Sequence, residues 1–149
     1  MEFKKQPIAK AELLIRRPVA EVFNAFVDPD VITKFWFEKS TGRLERGKTV
    51  RWHWESCNVC AEVRVKAIEE NERILIEWGT ENPTCVEWTF ARRTADTTYV
   101  SVTNTGFAGN GDEIVYQALD ATGGFALVLA AAKAHLEHGI SLNIVADRF

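Results

Sequence analysis

Cys57-Asn58-Val59-Cys60 has the spacing of a zinc knuckle or a redox pair, and His53 stands four residues upstream. A structural zinc site takes four ligands, commonly two such pairs. Only Cys85 remains of the three cysteines to extend the set, and the alternation around His53 turns that side chain outward. A redox pair belongs at a helix start, whereas these cysteines flank a hairpin turn. His135 and His138, with Glu137 between them, lie at the end of an apolar stretch that reads as helix. There such side chains serve the exposed carbonyls, and Gly139 is the natural cap. Ser56 and Ser101 sit in no G-x-S-x-G elbow. Gly106-Phe107-Ala108-Gly109-Asn110-Gly111 lacks the Lys and the strand-to-helix setting of a phosphate loop. Glu55, Glu62, Glu77 and Glu87 alternate onto the side that carries Arg51, His53, Arg64 and Lys66, which makes them solvated partners of Arg51, Arg64 and Lys66. These residues name no catalytic group, no metal and no cofactor.

The aromatic residues point elsewhere. From about Lys48 to Phe107 the apolar period is two, in TVRWHWE, CAEVRVKAI, RILIEWG, CVEWTFARR and TTYVSVTNTGF. Val50, Trp52 and Trp54 share a face, as do Ala61, Val63, Val65 and Ala67, then Ile74, Ile76 and Trp78, then Val86, Trp88 and Phe90, then Val100 and Val102. Asn104 continues the inward parity of the last strand, as a polar anchor or as a strand-end turn residue. Before this tract, residues 7–16 read as a strand. VAEVFNAFVD reads as a helix opened by Pro18, and DVITKFW as a short second helix capped by Asp30 that carries Phe35 and Trp36. After it, a helix starting at Asp112 or a neighbour runs to Gly139, with Phe125, Val128, Leu129, Ala132 and Leu136 as its apolar stripe.

A sheet with one apolar face needs a cover, and only the last helix has the length to supply it. Gly123 and Gly124 interrupt that helix at about 1 kcal/mol each against Ala. They either let the backbone cross wide aromatic rings closely or bend, or they divide the segment into two helices. If they mark a close crossing, Gly124→Val destabilises by clash. Four tryptophans, Trp52, Trp54, Trp78 and Trp88, with Phe90 and Phe125, give more flat apolar surface than a small core needs. They surround either a cavity for a planar apolar molecule or a dry core, and periodicity alone does not separate the two.

The chain of 149 residues carries 18 Lys and Arg against 21 Asp and Glu, a net charge of -3, with no basic block. That argues against nucleic acid or an anionic membrane surface as partner. No stretch reads as a signal peptide or a membrane span, and an odd number of cysteines without an export signal fits free thiols in the cytoplasm. No repeat or long linker divides residues 1–149, so one domain is expected.

Four segments resemble a known superfamily. RRPVAEVFNAFVDPDVITKFW, TTYVSVTNTGF, GGFALVLAAAKAHLEHG and ISLNIVADRF are similar to the START-like (SRPBCC) proteins, within the branch of the activator of heat-shock-protein-90 ATPase. Phe125 stands where a tryptophan commonly follows the glycine pair. The resemblance implies an α+β helix-grip fold, a curved antiparallel sheet of about six to seven strands around a long C-terminal helix, with two short helices after the first strand and a cavity between sheet and helix. Its mouth is expected near residues 107–112 and the Phe35-Trp36 helix. Phe35, Trp36, Trp52, Trp54, Val63, Val65, Ile76, Trp78, Trp88, Phe90, Val102, Asn104, Phe125 and Leu129 are the candidate wall. Three functions follow as expectations: a binder of a small hydrophobic molecule, a chaperone ATPase regulator, and a cyclase-, aromatase- or hydrolase-like enzyme using the same cavity. Fold does not choose among them.

Overall fold

A computed structural model of the chain describes residues 5–55 and 58–148. The strands are β1 (Ala9–Ile15), β2 (Lys39–Ser40), β3 (Thr49–Trp54), β4 (Val59–Glu69), β5 (Arg73–Trp78), β6 (Thr84–Thr94) and β7 (Thr97–Thr105). They form one antiparallel sheet in the order β1-β7-β6-β5-β4-β3-β2. Helices α1 (Val19–Val27) and α2 (Pro29–Ile32) follow β1, and α3 (Gly111–His138) and α4 (Ile144–Arg148) follow β7. This is the helix-grip arrangement expected from the sequence, with α3 laid along β1 and β7. Ser56 and Cys57 lie outside the described residues.

The caps differ from the sequence expectation in one place. Asp28, not Asp30, caps α2: its Oδ1 accepts from the Asp30 N–H at 2.9 Å. Pro29 occupies the first helical position, where a missing N–H costs nothing. Helix α2 ends at Ile32, so Phe35 and Trp36 follow it instead of riding on it. Asn110 caps the start of α3, its Oδ1 accepting from Glu113 N–H at 2.9 Å while its Nδ2 donates to Glu113 Oε1 at 2.7 Å. Gly139 closes α3 at φ +66°, in the left-handed region that favours glycine, and its N–H serves the carbonyls of Ala134 and His135.

Period two places the apolar residues as expected, with one slip. Val50, Trp52, Val63, Val65, Ile74, Ile76, Val86, Trp88, Phe90, Val100 and Val102 are all buried. A bulge between Val65 and Ala67 pairs Ala67 with Leu75 and Ile68 with Ile74. The extra residue reverses the parity, so Ile68 and not Ala67 packs against the core. On the outer face, Arg64 bridges Glu62 at 3.0 Å and Glu77 at 2.9 Å, Arg73 pairs with Glu87 at 2.6 Å, and Lys39 pairs with Glu55 at 2.9 Å. Arg73 and Lys39 thus take two of the places expected of Arg51 and Lys66. Arg51 Nη1 lies 4.0 Å from Cys60 Sγ instead.

Helix α3 runs unbroken through Gly123 and Gly124, and the reason for the glycines is not the aromatic face. A Cβ on Gly124 would meet Arg148 Nη1 at 2.9 Å, and one on Gly123 would meet Arg148 Nη2 at 3.4 Å. The pair forms a shallow seat for the guanidinium of α4, which donates from Nη2 to the Asp120 carbonyl at 3.2 Å and to Asp120 Oδ1 at 3.0 Å. The far end of a long side chain yields easily. Gly124→Ala is therefore expected to leave the melting temperature unchanged or raise it, by up to about 1 kcal/mol of helix propensity, while the Arg148–Asp120 pair loosens. Thermal denaturation checks this, and a loss of several degrees would show the seat to be rigid.

By length and composition α3 could cross a bilayer, which the sequence reading did not anticipate. Its Phe125, Val128, Leu129, Ala131 and Ala132 are instead buried in the core shared with the sheet. Its C-terminal end is tied to the end of β1. Lys133 Nζ donates to the Leu14 carbonyl at 2.8 Å and to Glu137 Oε2, which also accepts from the Arg16 N–H at 2.9 Å. Burial pushes the Glu137 carboxyl up, but the Arg16 N–H and the Lys133 ammonium outweigh it and hold the group below the usual carboxylate range. A carboxyl lowered by folding stabilises above its unfolded value and loses that contribution as pH falls through the folded one. Stability is expected to drop below about pH 4.5, the ordinary value of this group, and Glu137→Gln to flatten that slope in urea melts at stepped pH.

Candidate functional site

Strands β3, β5 and β7 end, and β6 begins, at the same end of the antiparallel sheet. That geometry brings Trp54, Trp78, Asn104 and Thr84 together on the inner face. Trp36 reaches the same place from the turn after α2, and Phe107 from the segment after β7. Helix α3 crosses above them with Tyr116, Gln117, Asp120, Ala121, Gly124, Phe125, Leu127 and Val128 in successive turns, and α4 adds Ile144, Val145 and Arg148 at the side. Between these elements lies a cavity of about 370 Å³.

The walls are rings. Trp36 is the hub, with its centroid 5.2 Å from Trp52, 5.9 Å from Trp54, 6.0 Å from Trp78, 6.2 Å from Trp88 and 5.9 Å from Phe125. Trp78 and Phe125 lie nearly parallel, at 5.9 Å and 25°. A neutral polar cluster interrupts the apolar wall at the strand ends. Trp78 Nε1 donates to Thr84 Oγ1 at 2.9 Å, and Asn104 Nδ2 donates to the same oxygen at 3.0 Å and to the Cys85 carbonyl at 2.9 Å. Asn104 is only 3% exposed, so its place is inside the strand and not in a turn. At the outer side Tyr116 is 72% exposed and Leu127 38%, and the Arg148–Asp120 pair stands beside them.

Of the fourteen residues singled out in the sequence, Trp36, Trp54, Trp78, Asn104 and Phe125 line this cavity. Phe35, Trp52, Val63, Val65, Ile76, Trp88, Phe90, Val102 and Leu129 do not; they are packed in the core below it. The reason is position along the strand. Period two gives the correct face but does not say which end of that face α3 leaves uncovered. Trp52, stacked on Phe37 at 4.4 Å and 22°, and Trp88, tilted on Phe26 at 5.9 Å, are each 1% exposed. Of the segments expected near the mouth, Phe107 and Trp36 are on the wall. The contribution of α4 was missed, although Ile144, Val145 and Arg148 at helical spacing in the tail carried a signal for it.

The polar candidates are dispersed. His53 sits opposite Cys60 across β3 and β4, while Cys85 lies on β6 opposite Glu77, with β5 between. Cys57 lies outside the described residues, and among the described residues no three His, Cys, Asp or Glu side chains cluster as metal ligands. His135 packs its ring 6.3 Å from Phe35, and His138 Nε2 lies 3.8 Å from Glu137 Oε1.

A crystallised protein from Staphylococcus saprophyticus is 30% identical, with a TM-score of 0.78 over 91% of this chain and 95% of that one. DynU16, from the dynemicin biosynthetic locus, superposes with a TM-score of 0.77 at 21% identity, covering 91% of this chain and 49% of that one. The Aha1 protein of Colwellia psychrerythraea, solved in solution as a dimer, gives a TM-score of 0.75 at 16% identity over 89% and 97%. No curated protein matches the sequence. Residues 16–137 match the family model described as activator of Hsp90 ATPase homolog 1-like protein. With that match over most of its length and the helix-grip sheet around α3, the chain belongs to the activator of Hsp90 ATPase homolog 1-like family of the START-like superfamily.

Proposed function

We propose that this chain binds a small apolar molecule, planar aromatic or lipid-like, in the cavity between the sheet and α3. The observation that carries the reading is a space of about 370 Å³ walled by Trp36, Trp54, Trp78 and Phe125 beside the neutral Thr84–Asn104 cluster. Small-molecule sites have volumes of roughly 300–1,000 Å³ and this mostly apolar character. Flat rings give contact area with little entropy to lose on binding. Asp120 is the carboxylate of the wall and is engaged by Arg148, which favours binding over acid-base work. Free thiols at Cys60 and Cys85 fit a reducing cytoplasm.

The test is quenching of tryptophan fluorescence by naphthalene and, in parallel, by a medium-chain fatty alcohol. Saturable quenching by either supports the reading, and a flat response to both overturns it. The family description favours a second reading, contact with a chaperone ATPase. Capture of the host chaperone, with a change in its ATPase rate on adding this protein, would support that reading.

A further inference from the structure

The polar cluster at the inner end of the cavity has a definite hydrogen-bond parity. Thr84 Oγ1 accepts from Trp78 Nε1 and from Asn104 Nδ2, at 2.9 and 3.0 Å. A hydroxyl has two lone pairs and one proton, so with both pairs engaged its remaining capacity is to donate. Asn104 is fixed by the same logic. Its Nδ2 faces the Cys85 carbonyl at 2.9 Å, and a carbonyl can only accept, so the amide cannot be turned over. Asn104 Oδ1 must then face away from Cys85. Both side-chain hydrogen bonds of Asn104 run from Nδ2, so among the described residues Oδ1 has no donor, and the residue, only 3% exposed, gives that oxygen to the cavity it lines. At this cluster the wall therefore offers a donor, the Thr84 O–H, beside an acceptor, Asn104 Oδ1.

Resting on the binding function proposed above, we infer that the ligand is an aromatic molecule bearing a neutral hydroxyl, which donates to Asn104 Oδ1 and accepts from Thr84 Oγ1. A hydroxyl is the smallest group that answers both with one oxygen. A carboxylate or ammonium does not suit this end. The cavity wall holds one cation, Arg148, and one anion, Asp120, among the described residues, and they are paired with each other at the outer side. A charge brought to the inner end would be buried without a partner. Trp78 links the two halves of the site, since its indole N–H sets the proton of Thr84 while its ring forms the stacked wall with Phe125.

The test is a matched series of 2-naphthol, 2-methoxynaphthalene and naphthalene, titrated calorimetrically into the full chain while the Asn104 side-chain amide and Trp78 indole signals are followed by NMR. A site built to hydrogen-bond a hydroxyl discriminates strongly against an analogue that leaves its buried groups unpaired. 2-Naphthol is expected to bind about tenfold tighter or more than both analogues, and to shift both signals. In Thr84→Val the ratio is expected to fall toward one, and in Thr84→Ser to be retained. Equal binding of all three probes, or 2-naphthol binding without a shift at Asn104, overturns the hydroxyl assignment and leaves the apolar cavity intact. Failure of naphthalene and 2-naphthol alike overturns the aromatic assignment, and failure of the medium-chain fatty alcohol as well overturns the binding function itself.

Discussion

Trp52→Ala is expected to lower the unfolding free energy by about 4 kcal/mol, and Trp54→Ala, two residues on along the same face of β3, by less than about 2 kcal/mol. The two indoles differ in what lies beyond them. Trp52 is 1% exposed, stacked on Phe37 at 4.4 Å and enclosed by Trp36 and Trp78. Its removal opens a void among rigid rings that cannot collapse into it, so the lost transfer energy and the void add. Trp54 is half-buried and lines the cavity, so truncation enlarges an existing space. Urea denaturation of both variants measures the difference. Equal losses would mean that Trp54 is enclosed in solid core and that the cavity does not exist.

Ala121→Phe is expected to weaken ligand binding at least 30-fold, equivalent to about 2 kcal/mol, with a change in stability within about 1 kcal/mol. Ala121 lines the cavity from α3 one turn before Phe125. An added phenyl occupies space that holds no protein atoms, so it competes with ligand more than with packing. The helix-propensity penalty of Phe against Ala is about 0.5 kcal/mol, offset by burial of the new ring. Titration with naphthalene and a thermal melt of the same sample check both halves. Undiminished binding in a folded variant would place the ligand elsewhere.

How far the sequence leads depends on the range of the interaction. Alternation is local, so the inward face of the sheet, including Asn104, is legible in the residues. Capping is local too, and Gly139 reads correctly. The Asp28 cap shows where local reading slips: two aspartates flank Pro29, and the proline's fixed φ decides between them. The bulge after Val65 has no local signature, so Ile68 and Ala67 exchange faces unannounced. The least legible part is the cavity itself. Trp52 and Trp54 have the same parity, and only the line taken by α3 and the seating of Arg148 on Gly123 and Gly124 decide which indole meets empty space. That decision joins residues 36, 54, 78, 104, 125 and 148, which no short window of sequence relates.

The central claim divides the five tryptophans into three on a ligand cavity and two in the packed core. The most direct measurement is a heteronuclear NMR titration of labelled protein with 2-naphthol, read at the indole Nε1–H signals. Dose-dependent shifts are expected to be largest at Trp36, Trp54 and Trp78, with smaller displacements at Trp52 and Trp88 passed through the Trp36 ring. Shifts spread evenly over all five, or no shift at any of them, would contradict the claim.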